Sequence, residues 1–288
     1  MSMIFILGAD DPEMSAIEQL LNSNSIAYRY ALGADGQRVT PATAYAAVGA
    51  SGDDLNVDNI AFVECEVAGI TPIARCDHHR PGDFGYGRPP ADYWEASSVG
   101  QVAALLDNNN GWDIANSYGV EILMVAAADH CLAAAYAGQC YGVNPQELAE
   151  FRIYQRAKFQ KRDVAELHAD MERALRQLEY APRVFLSDTN GCWDNGSGWC
   201  ETHGQTADRC GAIADLRGTF VPELREAALI ARLPGYLASV TEPGGRQKVV
   251  ISADESNVRA FMGGWAAQNG LTEIYGNPVR GYAGGYVL

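Results

Sequence analysis

The chain has 288 residues, of which 48% are hydrophobic and 20% charged, a composition typical of a folded globular protein and unlike that of a disordered chain. Its formal net charge of -15 argues against binding to long duplex nucleic acid, which normally requires a basic surface. The longest apolar runs are shorter than a membrane span, so we expect no membrane-spanning helix. The first residues lack the basic segment of a signal peptide, so we expect no signal peptide. Seven cysteines, an odd number, favour reduced thiols in a cytoplasmic protein over a disulfide framework.

The first half of the chain alternates between strand-like and helical patterns. Strands are predicted at 3–9, 26–32, 59–67 and 71–77, and helices at 10–24, 97–107 and 122–138. Asp11 suits the N-cap of the first helix, with Pro12 as its first helical residue. Because strands alternate with helices, the sequence predicts an α/β domain with a parallel sheet and helices on both faces.

A long segment without internal proline or glycine follows, from 145 to 180, and predicts one long helix or two abutting ones. It contains seven of the 21 basic residues. We interpret it as a solvated linker helix, and a stripe of basic residues facing a phosphate is the alternative. The predicted domains are therefore 1–144, a linker helix at 145–182, and a smaller α+β domain at 183–288.

The smaller domain begins with turn-rich sequence after Pro182. Strands are predicted in PGYLASV and KVVISAD. The final stretch, IYGNPVRGYAGGYVL, is predicted to be a glycine-rich loop that leads into a last strand.

Acidic side chains follow three of the predicted strands in the first half. Because the carboxyl ends of parallel strands meet at one edge of a sheet, these groups should converge there. A further aspartate lies in the alanine-rich helix AAADH, where an isolated charge needs a partner. Hard divalent cations bind carboxylates, and Mn²⁺ also accepts imidazole. The side chains concerned are Asp10, Asp11, Glu13, Glu64, Asp77, His78, His79 and Asp129.

In this order, the motifs closely resemble those of the DHH phosphoesterase superfamily, over residues 3 to about 140. The resemblance depends on an acidic turn after the first strand, an acid after a later strand, the DHH motif at 77–79, and the helical aspartate. The stretch EASSVGQVAALL is similar to the helix start that follows the family's DHH motif. The C-terminal VRGYAGGYVL is weakly similar to the glycine-rich substrate loop of a DHHA1 domain. The superfamily includes RecJ-type exonucleases, nanoRNases, cyclic-dinucleotide phosphodiesterases and class II pyrophosphatases.

The resemblance implies a site for two Mn²⁺ or Mg²⁺ ions. The metal ligands that it implies are Asp11, Glu13, Glu64, His78 and Asp129. The catalytic residues would be His79, which contacts the phosphate or handles a proton, and Asp77, which holds an imidazole in place. The substrate-binding residues would be His79, Arg80, Arg280 and Gly284.

The chain also departs from the family pattern. Leu7 occupies the position of the family's first histidine, so one ion instead of two is an alternative. Glu13 and Glu64 stand where the family has aspartate, which shifts each carboxylate by about one bond length. Asp10 could supply a replacement oxygen. The C-terminal loop lacks the family's histidine, and Arg280 would clamp a phosphate in its place.

The function that the resemblance implies is hydrolysis of a phosphodiester or phosphomonoester bond in a small nucleotide or short oligonucleotide, by attack of hydroxide activated on the metal. Two alternatives are a phosphoanhydride hydrolase like the pyrophosphatases, and a catalytically degenerate protein that only binds a nucleotide. A homodimer is left open.

Two other sets of residues are weaker candidates. His130 should point away from Asp129, because consecutive residues face different directions on a helix, so we interpret it as a packing residue or as a partner of a metal ligand. The spacing of Cys192, Cys200, His203 and Cys210 matches no standard zinc motif, so we interpret them as free thiols and a histidine.

Overall fold

The structure is a computed structural model of the chain. It describes residues 3–52, 59–106, 119–186, 199–200, 205–206, 211–242, 244–278 and 281–288, with the backbone alone at 199–200 and 205–206. The chain divides into two compact units, 1–160 and 161–288. Among the helices that the structure describes, none has the length and apolar character that a membrane crossing requires.

The first unit is built on a five-stranded sheet with the order β3-β2-β1-β4-β5. Its strands are β1 (Ile4–Leu7), β2 (Tyr28–Leu32), β3 (Gly49–Ala50), β4 (Ile60–Val63) and β5 (Ala74–Cys76). Strand β1 is parallel to β2 and β4, and β4 is parallel to β5, whereas β3 is an antiparallel edge strand. The predicted parallel sheet is confirmed.

The described residues of the first unit include five α-helices. They are α1 (Pro12–Ser23), α2 (Tyr93–Ala96), α3 (Ser98–Leu106), α4 (Val120–Tyr136) and α5 (Pro145–Gln160). Helices lie on both faces of the sheet, so the predicted α/β class is confirmed. Helix α1 begins as predicted, because the side chain of Asp11 accepts a hydrogen bond of 2.7 Å from the backbone N–H of Met14.

The core of the first unit explains why its central strands are short and apolar. Strand β1 lies between two parallel neighbours under helices, and Phe5, Ile6 and Leu7 are fully buried. The four residues of β4 are buried in the same way. A strand covered on both faces has no solvent side on which to alternate polar residues, so it appears in the sequence as a continuous hydrophobic run.

The register of these strands brings their carboxyl ends together. Leu7 pairs with Val63, and Val63 in turn pairs with Cys76. The residues that follow β1, β4 and β5 therefore start from neighbouring points on one edge of the sheet. The fold itself places the acidic turn after β1, Glu64 after β4 and Asp77 after β5 close together.

The predicted linker segment forms two helices. The first is α5, which ends at Gln160, and the second is α6 (Val164–Tyr180) in the second unit. Between them Lys161 has a left-handed backbone (φ 53°) that ends the first helix. Asp163 then caps the second, because its side chain accepts a hydrogen bond of 2.7 Å from Ala165 N–H. The functional division at 144 and 182 stays a prediction.

The second unit contains a six-stranded mixed sheet with the order β12-β13-β11-β10-β9-β6, and a separate two-stranded pair of β7 with β8. Its strands are β6 (Arg183–Val184), β7 (Trp199–Cys200), β8 (Gln205–Thr206), β9 (Ile213–Leu216), β10 (Gly235–Thr241), β11 (Gln247–Ala253), β12 (Leu271–Asn277) and β13 (Tyr282–Val287). Its further helices are α7 (Leu224–Ile230) and α8 (Glu255–Ala260), followed by a π-helical turn (Phe261–Trp265) and a short helix (Ala266–Gln268).

The strand predictions for the second unit are confirmed at β10, β11 and β13. The prediction of a loop over 274–277 is wrong, because these residues belong to β12 and pair with β13. Cross-strand pairing outweighs the local preference of Gly276 and Asn277 for turns. The core under the sheet includes Leu237, Ile251 and Phe261.

Gly8 allows the end of β1 to approach the backbone of Glu64. A Cβ atom at Gly8 would lie 2.4 Å from the Glu64 carbonyl oxygen, whereas a Cβ atom at Gly49 would meet nothing within 4 Å. We predict that Gly8→Ala lowers the free energy of unfolding by about 2–3 kcal/mol, because the clash is with backbone. Gly49→Ala is the matched control and should change it by less than about 0.5 kcal/mol. Urea unfolding of both variants measures this, and equal stabilities would contradict the close approach.

Candidate metal centre

Four side chains at the sheet edge offer ligand atoms that all lie within 4.8 Å of one another: Glu64, His78, His79 and Asp129. Two ligands on opposite sides of a Mg²⁺ ion, each about 2.1 Å from it, stand about 4.2 Å apart. The group, at up to 4.8 Å, is therefore only slightly wider than a single coordination shell. Glu64, His78 and Asp129 are among the predicted metal ligands. His79 is the fourth member of the group and was predicted as a catalytic residue instead.

Glu64 is held in an unusual conformation at the end of β4. Its backbone is left-handed (φ 49°), which a residue with a side chain adopts only when its surroundings enforce it. Its backbone N–H donates to Cys76 O at 3.1 Å. Among the described residues, no donor hydrogen-bonds its buried Oε1 atom. Burial, and then the charges of Asp129 and Asp11, raise the pKa of Glu64 to about 7.

His78 joins the sheet edge to helix α4. Its Nε2 atom lies 2.8 Å from Asp129 Oδ2 and 4.0 Å from Glu64 Oε1. Burial opposes ionisation of Asp129, but hydrogen bonds from His78 and Glu13 and the nearby imidazole charge outweigh it and lower the Asp129 pKa. Asp129 is therefore the carboxylate that keeps its charge in the absence of a cation.

Glu13 and Asp11 flank this group at the start of α1. Glu13 is buried, and its Oε1 accepts a hydrogen bond of 2.9 Å from Val99 N–H at the beginning of α3. Its Oε2 has no hydrogen-bond donor among the described residues. Burial raises the pKa of Glu13 well above its usual value and also raises that of Asp11, and in both cases the charge of Asp129 adds to the effect.

Asp77 organises the backbone of the DHH turn. Its Oδ1 accepts hydrogen bonds from the backbone N–H groups of His78 (2.8 Å) and His79 (3.0 Å), and the Tyr45 hydroxyl donates to Oδ2 at 2.9 Å. Burial opposes its ionisation, but the hydrogen bonds from His79 and Tyr45 outweigh burial and lower the pKa of Asp77. The Gln101 side chain braces the turn, because it accepts from Asp77 N–H and donates to Asp77 O.

His79 is a half-exposed imidazole next to this carboxylate. Its Nδ1 atom lies 3.0 Å from Asp77 Oδ1. The hydrogen bond to Asp77, followed by the charges of Glu64, Asp77 and Asp129, raises the pKa of His79 to about 9 in spite of its partial burial. His79 is therefore protonated at neutral pH in the metal-free protein, whereas a metal ligand must be neutral.

Two other predicted residues in the first unit lie outside the group. Asp10 is exposed and lies 3.8 Å from Arg38. Arg80 is paired with Glu66 at 2.9 Å, and its guanidinium stacks over the Tyr45 ring at 3.7 Å from the centroid. Arg80 thus supports the far side of the tyrosine that holds Asp77.

The predicted substrate residues at the C-terminus lie in the second unit. Gly284 lies in the middle of β13 under Tyr275, whose hydroxyl would be 2.6 Å from a Cβ atom added there. Arg280 lies outside the described residues, as do Cys192, His203, Cys210 and the side chain of Cys200. The roles predicted for Arg280 and Gly284 stay predictions.

The expectation that His130 diverges from Asp129 is wrong, but a contact with a candidate metal ligand, one of the two roles expected for it, is present. Its Nδ1 atom lies 3.3 Å from Nδ1 of His78. Burial lowers the pKa of His130, which favours a neutral ring.

Tyr45 and Gln101 both form hydrogen bonds with Asp77, and the sequence analysis identified neither of them. They lie 32 and 24 residues from Asp77 along the chain, so no local pattern connects them to it. Of these two residues, only Gln101 could have been found from the sequence, because a polar side chain within an apolar helix indicates a buried group that needs a hydrogen-bond partner.

Comparison with known proteins finds similarity among solved structures. No family model matches the chain, and no curated protein matches it. Among solved structures, the chain is similar to a pGpG-specific phosphodiesterase, PggH, from Vibrio cholerae, with 10% sequence identity and a TM-score of 0.43. The match covers 99% of this chain and 92% of that one. At these values the similarity carries no conclusion about activity.

The raised pKa values predict how the stability of the metal-free protein depends on pH. Between about 4.5 and 7 the folded protein retains a proton on Glu64 that the unfolded chain has released, and His79 does the same between about 6.5 and 9. Because the folded state binds more protons, the free energy of unfolding should fall as pH rises through both windows. For Glu64 we expect a loss of about 1–3 kcal/mol.

Urea unfolding in EDTA at pH 5 and pH 8 measures this loss. Glu64→Gln replaces the carboxyl with an amide that cannot ionise. In this variant the free energy of unfolding should therefore fall less between pH 4.5 and 7 than it does in the wild type. An identical pH dependence in the wild type and in Glu64→Gln would show that Glu64 ionises normally.

Proposed function

We propose that the chain is a phosphoesterase that depends on Mn²⁺ or Mg²⁺ and hydrolyses phosphodiester or phosphomonoester bonds in small nucleotide-type substrates. The observation that supports this most strongly is the group of Glu64, His78, His79 and Asp129, whose ligand atoms lie within 4.8 Å. It stands at the carboxyl edge of a parallel sheet, where α/β proteins bind their ligands.

The donor set fits a hard divalent cation. Glu64 Oε1 and Glu13 Oε2 are buried carboxylate oxygens without donors among the described residues, a costly arrangement unless a cation or a proton compensates it. We propose that Glu64, His78 and Asp129 hold one ion. Asp11 and Glu13 flank this group and are the carboxylates that we propose for a second ion. The binding of a second ion stays a prediction. A bound cation would polarise the phosphoryl oxygens and lower the pKa of a water for attack on phosphorus.

His79 is suited to contact the substrate. Its ring is half-exposed, is oriented by Asp77 through Nδ1, and carries a proton at neutral pH. In this role the remaining ring nitrogen donates a hydrogen bond to a phosphate oxygen or a proton to the leaving oxygen. Asp77 would stabilise the protonated ring and fix its direction. Tyr45 keeps Asp77 ionised and in place, so it belongs to the same functional unit.

The charge distribution supports a small substrate. The formal net charge of -15 disfavours a long polyanion. In the second unit, Arg246 pairs with Glu273 and Lys248 pairs with Glu242 at 2.6 Å, so neither cation is available as it stands for a strongly basic pyrophosphate pocket. We therefore favour phosphoesters over phosphoanhydrides. A cytoplasmic location stays a prediction.

A panel of substrates tests the proposal directly. With Mn²⁺ present, the wild type should hydrolyse at least one of cyclic dinucleotides, linear dinucleotides, 3′-phosphoadenosine 5′-phosphate and short RNA, and should be less active on pyrophosphate. Asp129→Asn should lower kcat/KM more than about 100-fold, because it removes an anionic ligand. Glu172→Gln changes an exposed carboxylate on α6 and is the matched control, which should leave the activity unchanged.

Circular dichroism of Asp129→Asn should show an intact fold. EDTA should abolish turnover, and added Mn²⁺ should restore it. Turnover that is insensitive to EDTA, or no turnover of any phosphoester in the panel, would refute the proposed function.

A further inference from the structure

His130 contacts the metal-centre histidine from the side opposite the carboxylates. Its Nδ1 atom lies 3.3 Å from Nδ1 of His78, and the ring centroids are 5.3 Å apart at an interplanar angle of 37°. Its Nε2 atom lies 3.1 Å from the carbonyl oxygen of Arg88. The ring of His130 therefore connects His78 to a backbone carbonyl.

The local distortion of α4 accompanies this contact. Adjacent residues on a regular α-helix point about 100° apart, so Asp129 and His130 would not be expected to reach the same side chain. Here Asp129 contacts Nε2 of His78 and His130 contacts Nδ1. The next residue, Cys131, has non-helical backbone angles (φ -152°, ψ 52°) inside the helix. Two consecutive residues thereby hold one imidazole by both of its nitrogens.

The carbonyl at the end of this chain fixes the direction of the hydrogen bonds. A carbonyl oxygen only accepts, so Nε2 of His130 must carry the hydrogen. A neutral imidazole carries one hydrogen, which leaves Nδ1 of His130 as an acceptor. The hydrogen between the two Nδ1 atoms therefore belongs to His78. When His78 is neutral, its Nε2 has a lone pair directed to the side where Asp129 and Glu64 lie.

We propose that His130 is a positioning residue that selects the tautomer and orientation in which His78 binds the metal ion through Nε2. The inference rests on the proposed function, because it assigns His130 a role toward the same ion. Groups that hydrogen-bond the remote nitrogen of a ligating histidine fix its ring and increase its basicity, and their loss typically lowers metal affinity 10–100-fold. In this chain a second imidazole, anchored on Arg88 O, would supply that contact.

Mn²⁺ affinity, measured by electron paramagnetic resonance of free Mn²⁺, tests the inference without any substrate. His130→Phe keeps a ring of similar shape but removes the acceptor, and it should weaken Mn²⁺ binding about 10–100-fold. His130→Asn can place its amide oxygen near the position of Nδ1 and should retain affinity within about 3-fold of the wild type. The magnetic coupling of bound Mn²⁺ to an imidazole nitrogen should persist in His130→Asn and decrease in His130→Phe.

A double-mutant cycle separates positioning from a general structural effect. In a His78→Ala background, His130→Phe should have no further effect on Mn²⁺ affinity, because the residue through which it acts is absent. Thermal unfolding of each metal-free variant identifies any loss of fold. The Mn²⁺ affinities of His130→Asn and His130→Phe are then compared with each other, since both variants lack the imidazole.

Three results would overturn the inference. If the wild type binds Mn²⁺ and His130→Phe binds it equally well, His130 has no positioning role, while the proposed function survives. Equal losses in His130→Phe and His130→Asn would indicate that the shape of the ring matters and not its acceptor nitrogen. If the wild type binds no Mn²⁺, the proposed function fails and the inference fails with it.

Discussion

Several carboxylates share one small, largely buried region of this protein, and their mutual repulsion is the constraint that shapes the rest of the site. Water cannot solvate Glu13 and Glu64 there, so each must be compensated by a proton, a hydrogen-bond donor or a cation. The raised pKa values of Glu13 and Glu64 favour protons in this role when no cation is bound, while the hydrogen bond from His78 favours the ionised form of Asp129. A site that needs protons to tolerate its own charge is well suited to exchange them for a divalent ion.

The scaffold that maintains this charge cluster is made of backbone contacts. Asp77 binds the amides of the two residues after it, and the side chain of Gln101 hydrogen-bonds both backbone groups of Asp77. The carboxylate of Glu13 accepts a hydrogen bond from the Val99 amide at the start of α3. These bonds fix the directions of the side chains before any ligand arrives, which is what precise coordination requires.

The fold decides what Leu7 and His130 contribute to this region. Leu7 is fully buried as the last residue of β1, so this position contributes to the core and not to the cation site. On the other side of the centre, His130 brings a second imidazole into contact with His78.

The sequence by itself determined the features that depend on neighbours along the chain. The apolar runs of β1 and β4, the N-cap at Asp11 and the placement of an acid after β1, β4 and β5 were all predictable, because burial and capping leave local patterns. The tertiary structure alone decided which distant groups meet. Tyr45 reaches Asp77 across 32 residues, and the departure of α4 from helical geometry at Cys131 accompanies the turn of His130 toward His78. Such contacts depend on packing between elements, and no periodicity within one element encodes them.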